Sequence, residues 1–246
     1  MLTRVAMALL CVAVTAPVFA ASALAPYSAR YDVITHGLRA GEALFKLQKL
    51  AANRYRFSSQ SHTTGIVSLF RHDRIDESST FRVTPDGDLR AQAYRYERSG
   101  ENRSQHIQFD WTHHVAHSAY RGKKKSITIP DDATDAFLAQ LKLSRRVAAG
   151  MHAGKFPVVN HNKLDTYHLK VVGDETIRVP AGTFAAIRVE RADPGSTRKT
   201  VFWLAPKLHD VPVKVEQFHD GKSEFRLELN AVGFPEIAAP KKRPGS

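Results

Sequence analysis

The residues of this chain that could do chemistry are histidines, carboxylates and serines, so their spacing comes first. Twelve histidines occur in 246 residues. Three of them, His113, His114 and His117, fall close together. On a strand, His113 and His117 share a face but stand about 13 Å apart, at about 3.3 Å per residue. One metal ion needs its histidine nitrogens at about 2.0–2.1 Å. A turn at His113-His114 would change that geometry, yet no cysteine or paired carboxylate stands beside it. Solvated hairpin histidines are the expectation, with no metal site. Asp73, Asp76 and Glu77 are also close, but Arg71 and Arg74 are interleaved with them. That mixture reads as a salt-bridged, solvated strand face. Carboxylates without a pocket to shift their pKa do little acid–base work. Ser58, Ser59 and Ser61 have only His62 next to them, and no Gly-x-Ser-x-Gly elbow occurs. Phosphate loops and dinucleotide fingerprints are absent too. The expectation is a protein that is not an enzyme, with no catalytic residues and no cofactor.

The elements that would hold any site are strands. From Thr166 to Asn230 apolar residues recur with a period of two. Tyr167/Leu169/Val171, Ile177/Val179, Ile187/Val189, Val201/Trp203, Val213/Val215 and Phe225/Leu227/Leu229 carry the pattern. Such alternation marks antiparallel sheet with one buried and one wet face. Earlier strands are expected at Tyr27–Thr35, Glu42–Leu50, Arg54–His62, Arg74–Val83 and Leu89–Glu97, then in shorter arms up to Ile129. A turn or bulge is expected over His36-Gly37-Leu38-Arg39-Ala40-Gly41, and turns at Thr84-Pro85-Asp86-Gly87, Val172-Gly173-Asp174-Glu175, Val179-Pro180-Ala181-Gly182-Thr183 and His219-Asp220-Gly221-Lys222. One helix is expected near 131–147, with Asp131 or Asp132 as N-cap, Asp135 in the first turn, Arg145 and Arg146 late, and Gly150 beyond. The fold class is therefore all-β with one helix: a curled antiparallel sheet, of half-barrel or β-roll type.

At the start, Arg4 precedes the apolar run Val5 to Ala16, which Pro17 ends before small residues at Ala20, Ala21 and Ala23. This reads as a secretory signal peptide over residues 1–20. A membrane anchor needs about 20 apolar residues. The single cysteine, Cys11, lies inside that run behind Leu10, which is too large for a lipidation site. The expectation is a periplasmic, unlipidated chain without disulfides, stabilised by its core alone. Residues 21–234 would form one β domain, and residues 235–246, rich in Pro, Lys, Gly and Ser, a disordered tail.

Four elements carry a family resemblance. They are the early Tyr-rich strand with Gly37-x-x-x-Gly41-Glu42, the mid-chain Asp-rich helix start, Val172-Gly173-Asp174-Glu175 running on to Val179-Pro180-Ala181-Gly182-Thr183-Phe184, and Val201-Phe202-Trp203-Leu204-Ala205-Pro206 followed by Val211-Pro212-Val213-Lys214. Together they resemble the DUF3108 family of exported bacterial proteins of unknown function. The resemblance implies a periplasmic, largely antiparallel half-barrel or roll, and no reaction. The helix region departs from it in being richer in alanine and arginine.

The net charge of +12 is spread along the chain, with clusters at Lys123-Lys124-Lys125, Arg145-Arg146 and Lys241-Lys242-Arg243. On an exported protein that suits an anionic envelope surface, whereas no motif points to nucleic acid. A concave sheet partly covered by a helix can hold an apolar ligand. Val201, Trp203, Val213, Val215, Phe225 and Leu227 are the candidate lining residues, with simple core packing as the other reading. The function expected is binding or carrying an apolar or amphiphilic envelope molecule. The alternative is an adaptor that binds a protein partner through a strand edge. An enzyme acting on envelope glycans or lipids is third.

Overall fold

The computed structural model describes residues 24–64, 74–99 and 103–235. The expected signal peptide, Arg71, Asp73 and the tail beyond residue 235 lie outside the described residues. The first half runs β1 (Tyr27–Thr35), β2 (Leu38–Lys49), β3 (Arg54–Thr63), β4 (Arg74–Val83), β5 (Leu89–Arg98), β6 (Gln105–Asp110), β7 (Val115–Tyr120) and β8 (Lys123–Thr128). The two-residue β9 (Thr134–Asp135) then leads into the helix α1 (Leu138–Ala148). The second half runs β10 (Ala153–Asn160), β11 (Lys163–Val179), β12 (Gly182–Ala192), β13 (Arg198–Ala205), β14 (Val211–His219) and β15 (Lys222–Gly233).

Among the described residues, fifteen strands belong to one sheet, ordered β8-β7-β6-β5-β4-β3-β2-β1-β15-β14-β13-β12-β11-β10-β9. The chain is thus an antiparallel meander on either side of β1, which pairs with both β2 and β15. Among the described strands only β9 and β10 run parallel. The sheet curls but does not close into a barrel, leaving β8 and β9 as edges. One corner of the seam is pinned. Asn162 donates to the Lys123 carbonyl at 2.9 Å, and the rings of Tyr120 and His161 stand 4.5 Å apart.

Turn chemistry explains most of the meander. His36-Gly37 (φ 49°, 79°) and Asp220-Gly221 (φ 49°, 75°) both occupy the left-handed region that two-residue hairpin turns need. The expected turn at Val172–Glu175 is instead a bulge: β11 continues through it, with Gly173 at φ 150° and the register to β12 shifted between Val171 and Gly173. The helix also begins later than Asp131 or Asp132. Residues 131–137 descend into the roll first, and α1 starts at Leu138.

That helix lies inside the curl, and its buried residues, from Leu138, Ala139 and Leu141 to Val147, span both of its sides. An aromatic cluster fills the space beneath its start. Phe137 stacks on Phe57 at 4.4 Å, and Phe45 stands 5.9 Å from each. Close packing sets a further local demand at Gly41. A Cβ there would lie 2.3 Å from the His62 carbonyl oxygen on β3. Gly41→Ala should therefore destabilise the fold by about 1–3 kcal/mol, as overpacking does. Urea denaturation checks this, and an unchanged midpoint would show that β3 yields freely.

Candidate functional site

Register decides which side chains face inward. Glu77 and Asp76 are neighbours on β4, so they point to opposite faces. Asp76 lies outside, bonded by Arg74 at 2.7 Å and Gln60 at 2.9 Å, and Arg74 holds its carboxyl below the usual range. The salt-bridged reading fits this pair and fails for Glu77. Glu77 points in and accepts a hydrogen bond from the Tyr94 hydroxyl at 2.7 Å. Burial pushes its pKa up to about 7, and the nearby Asp135 adds to the shift.

Asp135 is the anchor of the helix. One oxygen, Oδ1, accepts from the Ser79 hydroxyl at 2.6 Å and from the backbone N–H groups of Phe137 and Leu138 at 3.0 and 2.8 Å. This satisfies the free donors at the helix start. The other oxygen, Oδ2, has no partner among the described residues. The residue has no exposed surface, and desolvation raises its pKa to about 6 despite the three donors.

So anchored, α1 runs outward and brings its C-terminal half to one mouth of the roll. There Lys142, only 1% exposed, donates to Asp88 Oδ2 at 3.0 Å and to the Asp132 carbonyl at 3.3 Å. Burial lowers its pKa, and Asp88 acts against that shift. Arg145 donates to the Gly87 carbonyl at 3.2 Å, and the Arg146 guanidinium lies 5.0 Å from the centre of the Phe156 ring. The Lys142 and Arg145 contacts tie the helix to the β4–β5 turn, and the Arg146 contact ties it to β10.

A groove of about 720 Å³ opens at this mouth. Leu24, Tyr27, Leu47, Leu89, Leu141 and Val211 give it apolar lining, while Lys142, Arg145, Arg146 and His209 supply basic groups and Asp86, Asp88 and Asp210 acidic ones. Its volume lies within the range of small-molecule sites. Tyr27, Leu141 and Ser144 also line a narrower slot that continues under the helix. That slot has a volume of about 20 Å³, room for roughly one water. Among the described residues the slot under the helix is narrow, and the wider space lies at the mouth.

The six candidate lining residues do not act as one surface. Val215 faces Phe202 and Leu227 across the ladder, so Val215 and Leu227 share the inner face and line the slot. Val213 is buried on the same side of β14, next to the register shift. Phe225 opposes Thr35 and Gln217 near the opposite end of the roll. Val201 and Trp203 face the other way, beside Glu216 and Lys214. The Trp203 indole N–H donates to Glu175 at 2.8 Å, and Lys214 lies 4.4 Å from the ring centre. None of the six lines the mouth groove.

Other candidates are dispersed as well. His113 is paired with Asp110 at 2.7 Å, His114 lies 3.4 Å from Asp131, and His117 meets Ser126 at 3.1 Å on the outer face. Among the described residues no group of three or more histidines, cysteines and carboxylates could hold a metal. Ser59 is buried on the inner face, whereas its neighbour Ser58 faces out opposite Ser78. The groove's strand and turn residues escaped the sequence pattern because they sit at strand ends and on turns, whereas Leu141, Arg145 and Arg146 fall within the expected helix. Leu89, directly after the Asp86-Gly87-Asp88 turn, was the available signal.

A curled, unclosed antiparallel sheet with a helix packed into its concave side is a β-barrel-like architecture. The chain matches the family model described as "Protein of unknown function (DUF3108)" over residues 27–229, and it belongs to that family. Its fold is similar to that of a β-barrel-like protein from Brucella abortus, a domain of unknown function called DUF1849. The TM-score is 0.59 at 12% identity, covering 87% of this chain and 99% of that one. A Bacteroides fragilis protein with a YmcC-like fold aligns at a TM-score of 0.35 and 10% identity, over 84% of this chain and 95% of that one. No curated protein matches the sequence.

The interior carboxyls make stability depend on pH. Both Glu77 and Asp135 have folded pKa values above their ordinary ones, so the folded state holds protons that the unfolded chain releases. Their contribution is fully present below about pH 4 and is lost as pH rises through about 6 to 7. Glu77→Gln keeps an acceptor for Tyr94 and removes one titration. Its melting temperature should exceed that of the unmodified protein by about 3–6 °C at pH 8 and converge with it near pH 5. Calorimetry at the two pH values checks this, and an identical offset at both would show that Glu77 is not held neutral.

Proposed function

We propose that this protein binds an amphiphilic molecule of the cell envelope in the mouth groove, as a periplasmic carrier or binding module and not as an enzyme. The observation that carries the reading is the groove itself, about 720 Å³ of space with apolar residues beside basic side chains of α1. An acyl chain would lie along Leu47, Leu89 and Leu141, and an anionic head group would meet Arg146. The buried Lys142–Asp88 pair holds the helix wall in place and is engaged within the protein. Export is supported by the run Val5 to Ala16 with small residues at Ala20 and Ala21, and the absence of any cysteine after Cys11 fits an unlipidated chain.

Ala148 is exposed and borders the groove, so a large residue there fills the site without entering the core. Titration with a fluorescent long-chain fatty acid, kept below its micellar concentration, should show saturable binding to the unmodified protein. Ala148→Trp should weaken it about tenfold or more while leaving the melting temperature unchanged. Equal affinity of both proteins would place the ligand elsewhere, and no binding of any single-chain amphiphile would end the proposal.

A further inference from the structure

Three arginines stand side by side on the outer face of three neighbouring strands at the same mouth. Arg54 of β3 is directly opposite Arg82 of β4, and Arg82 is directly opposite Arg90 of β5. Arg56 follows on the same face of β3. All four are exposed, and none forms an ion pair among the described residues. Like charges placed directly across a ladder repel, so the row works against the fold that carries it. The nearby carboxylates are engaged elsewhere: Asp88 with Lys142 and Asp110 with His113. Asp86, in the β4–β5 turn, is held low by the Thr84 hydroxyl first, with Arg90 contributing at longer range.

Trp111 completes the patch. It directly follows β6 at the same end of the sheet, half-buried, with its indole N–H donating to the Ala91 carbonyl at 2.6 Å. The Arg90 guanidinium lies 5.1 Å from the centre of its ring. A tryptophan beside arginines suits the boundary between polar head groups and acyl chains. The Arg54–Arg82–Arg90 row ends at the β4–β5 turn, whose residues Asp86, Gly87 and Asp88 also border the groove. Cations and an apolar opening therefore share one end of the molecule.

We propose that this end docks on an anionic phospholipid bilayer, with the Arg54–Arg82–Arg90 row on the head groups, bringing the groove to the lipid surface. The choice of a membrane over another polyanion rests on the groove reading, because only a bilayer offers phosphate and acyl chains together. The test uses a chain beginning at Ala21, which contains every described residue and lacks the apolar run. Co-sedimentation with phosphatidylglycerol-containing vesicles should show binding that falls steeply with salt, and pure phosphatidylcholine vesicles should show none. Each basic side chain near such a surface strengthens partitioning about fivefold. Replacing all three, Arg54→Gln, Arg82→Gln and Arg90→Gln, should therefore weaken vesicle binding by about two orders of magnitude. The melting temperature should be unchanged or raised, since the replacement removes repulsion.

Vesicle binding by the triple variant equal to that of the unmodified chain would overturn the docking surface. So would binding to neutral vesicles alone, or a preference for soluble heparin over anionic vesicles. Uptake of the monomeric fatty acid reads the groove separately. If that uptake fails while salt-sensitive vesicle binding persists, the groove reading falls and the arginine surface stands. If uptake holds while vesicle binding is absent, the docking surface alone falls.

Discussion

The Asp135 carboxylate holds the helix inside the roll, and the rest of the architecture follows from that hold. A curled sheet this wide has a concave face too large for its own side chains to cover. The helix covers it, but its start must be buried to do so. Buried helix starts carry free N–H groups that need acceptors. Asp135 meets two of them with one oxygen and is itself fixed to the sheet wall by Ser79. Phe137 then drops onto Phe57, and the aromatic cluster closes the space beneath. The cost is a carboxylate without solvent, visible in its raised pKa and in an Oδ2 that has no partner among the described residues.

With its start fixed, the helix has little freedom in where its other end emerges. Lys142 and Arg145 then clamp it to the β4–β5 turn. The wall of the groove is thus positioned by a rigid element and not by a loop, which suits a site that must keep its shape. The same clamp removes Lys142 from any direct role toward a ligand. It leaves Arg146 less committed, since its nearest carboxylate oxygen is 3.9 Å away and its guanidinium lies over Phe156.

Much of the fold was legible because turn chemistry and period-two alternation agree. β1 and β4 run over the residues the alternation indicates, and the Asp220-Gly221 hairpin falls where its dipeptide says. Alternation loses its power where both faces are covered. In β13 every residue from Val201 to Ala205 is buried, so the pattern cannot say which ones face the core. Pairing with β14 decides it, turning Phe202 inward and Trp203 outward under Lys214 and beside Glu175. Glu77 was hidden differently, since a carboxylate among arginines looks solvated until strand parity sends it inward. Gly173 reads as a turn locally, but the long pairing of β11 with β12 overrides it and makes it a bulge. The helix start misleads for a related reason. Asp131 and Asp132 have the right chemistry for a cap, yet the capping acid is Asp135, chosen by its reach to Ser79.

The pairing of β1 with β15 also sets an order of events in time. Synthesis delivers the N-terminal end first, so β1 meets β2 early and gains one neighbour. Its second neighbour is the last of the described strands to be made, and their ladder carries a register shift between Arg30 and Tyr31. The Asn230 side chain, 198 residues further along, lies 3.3 Å from Asp32 across that junction. Joining ends so distant makes the final step slow and intolerant of truncation. Until β15 arrives, the first half of the molecule has an unpaired border at β1, and a chain cut short before Leu227 would keep that border open.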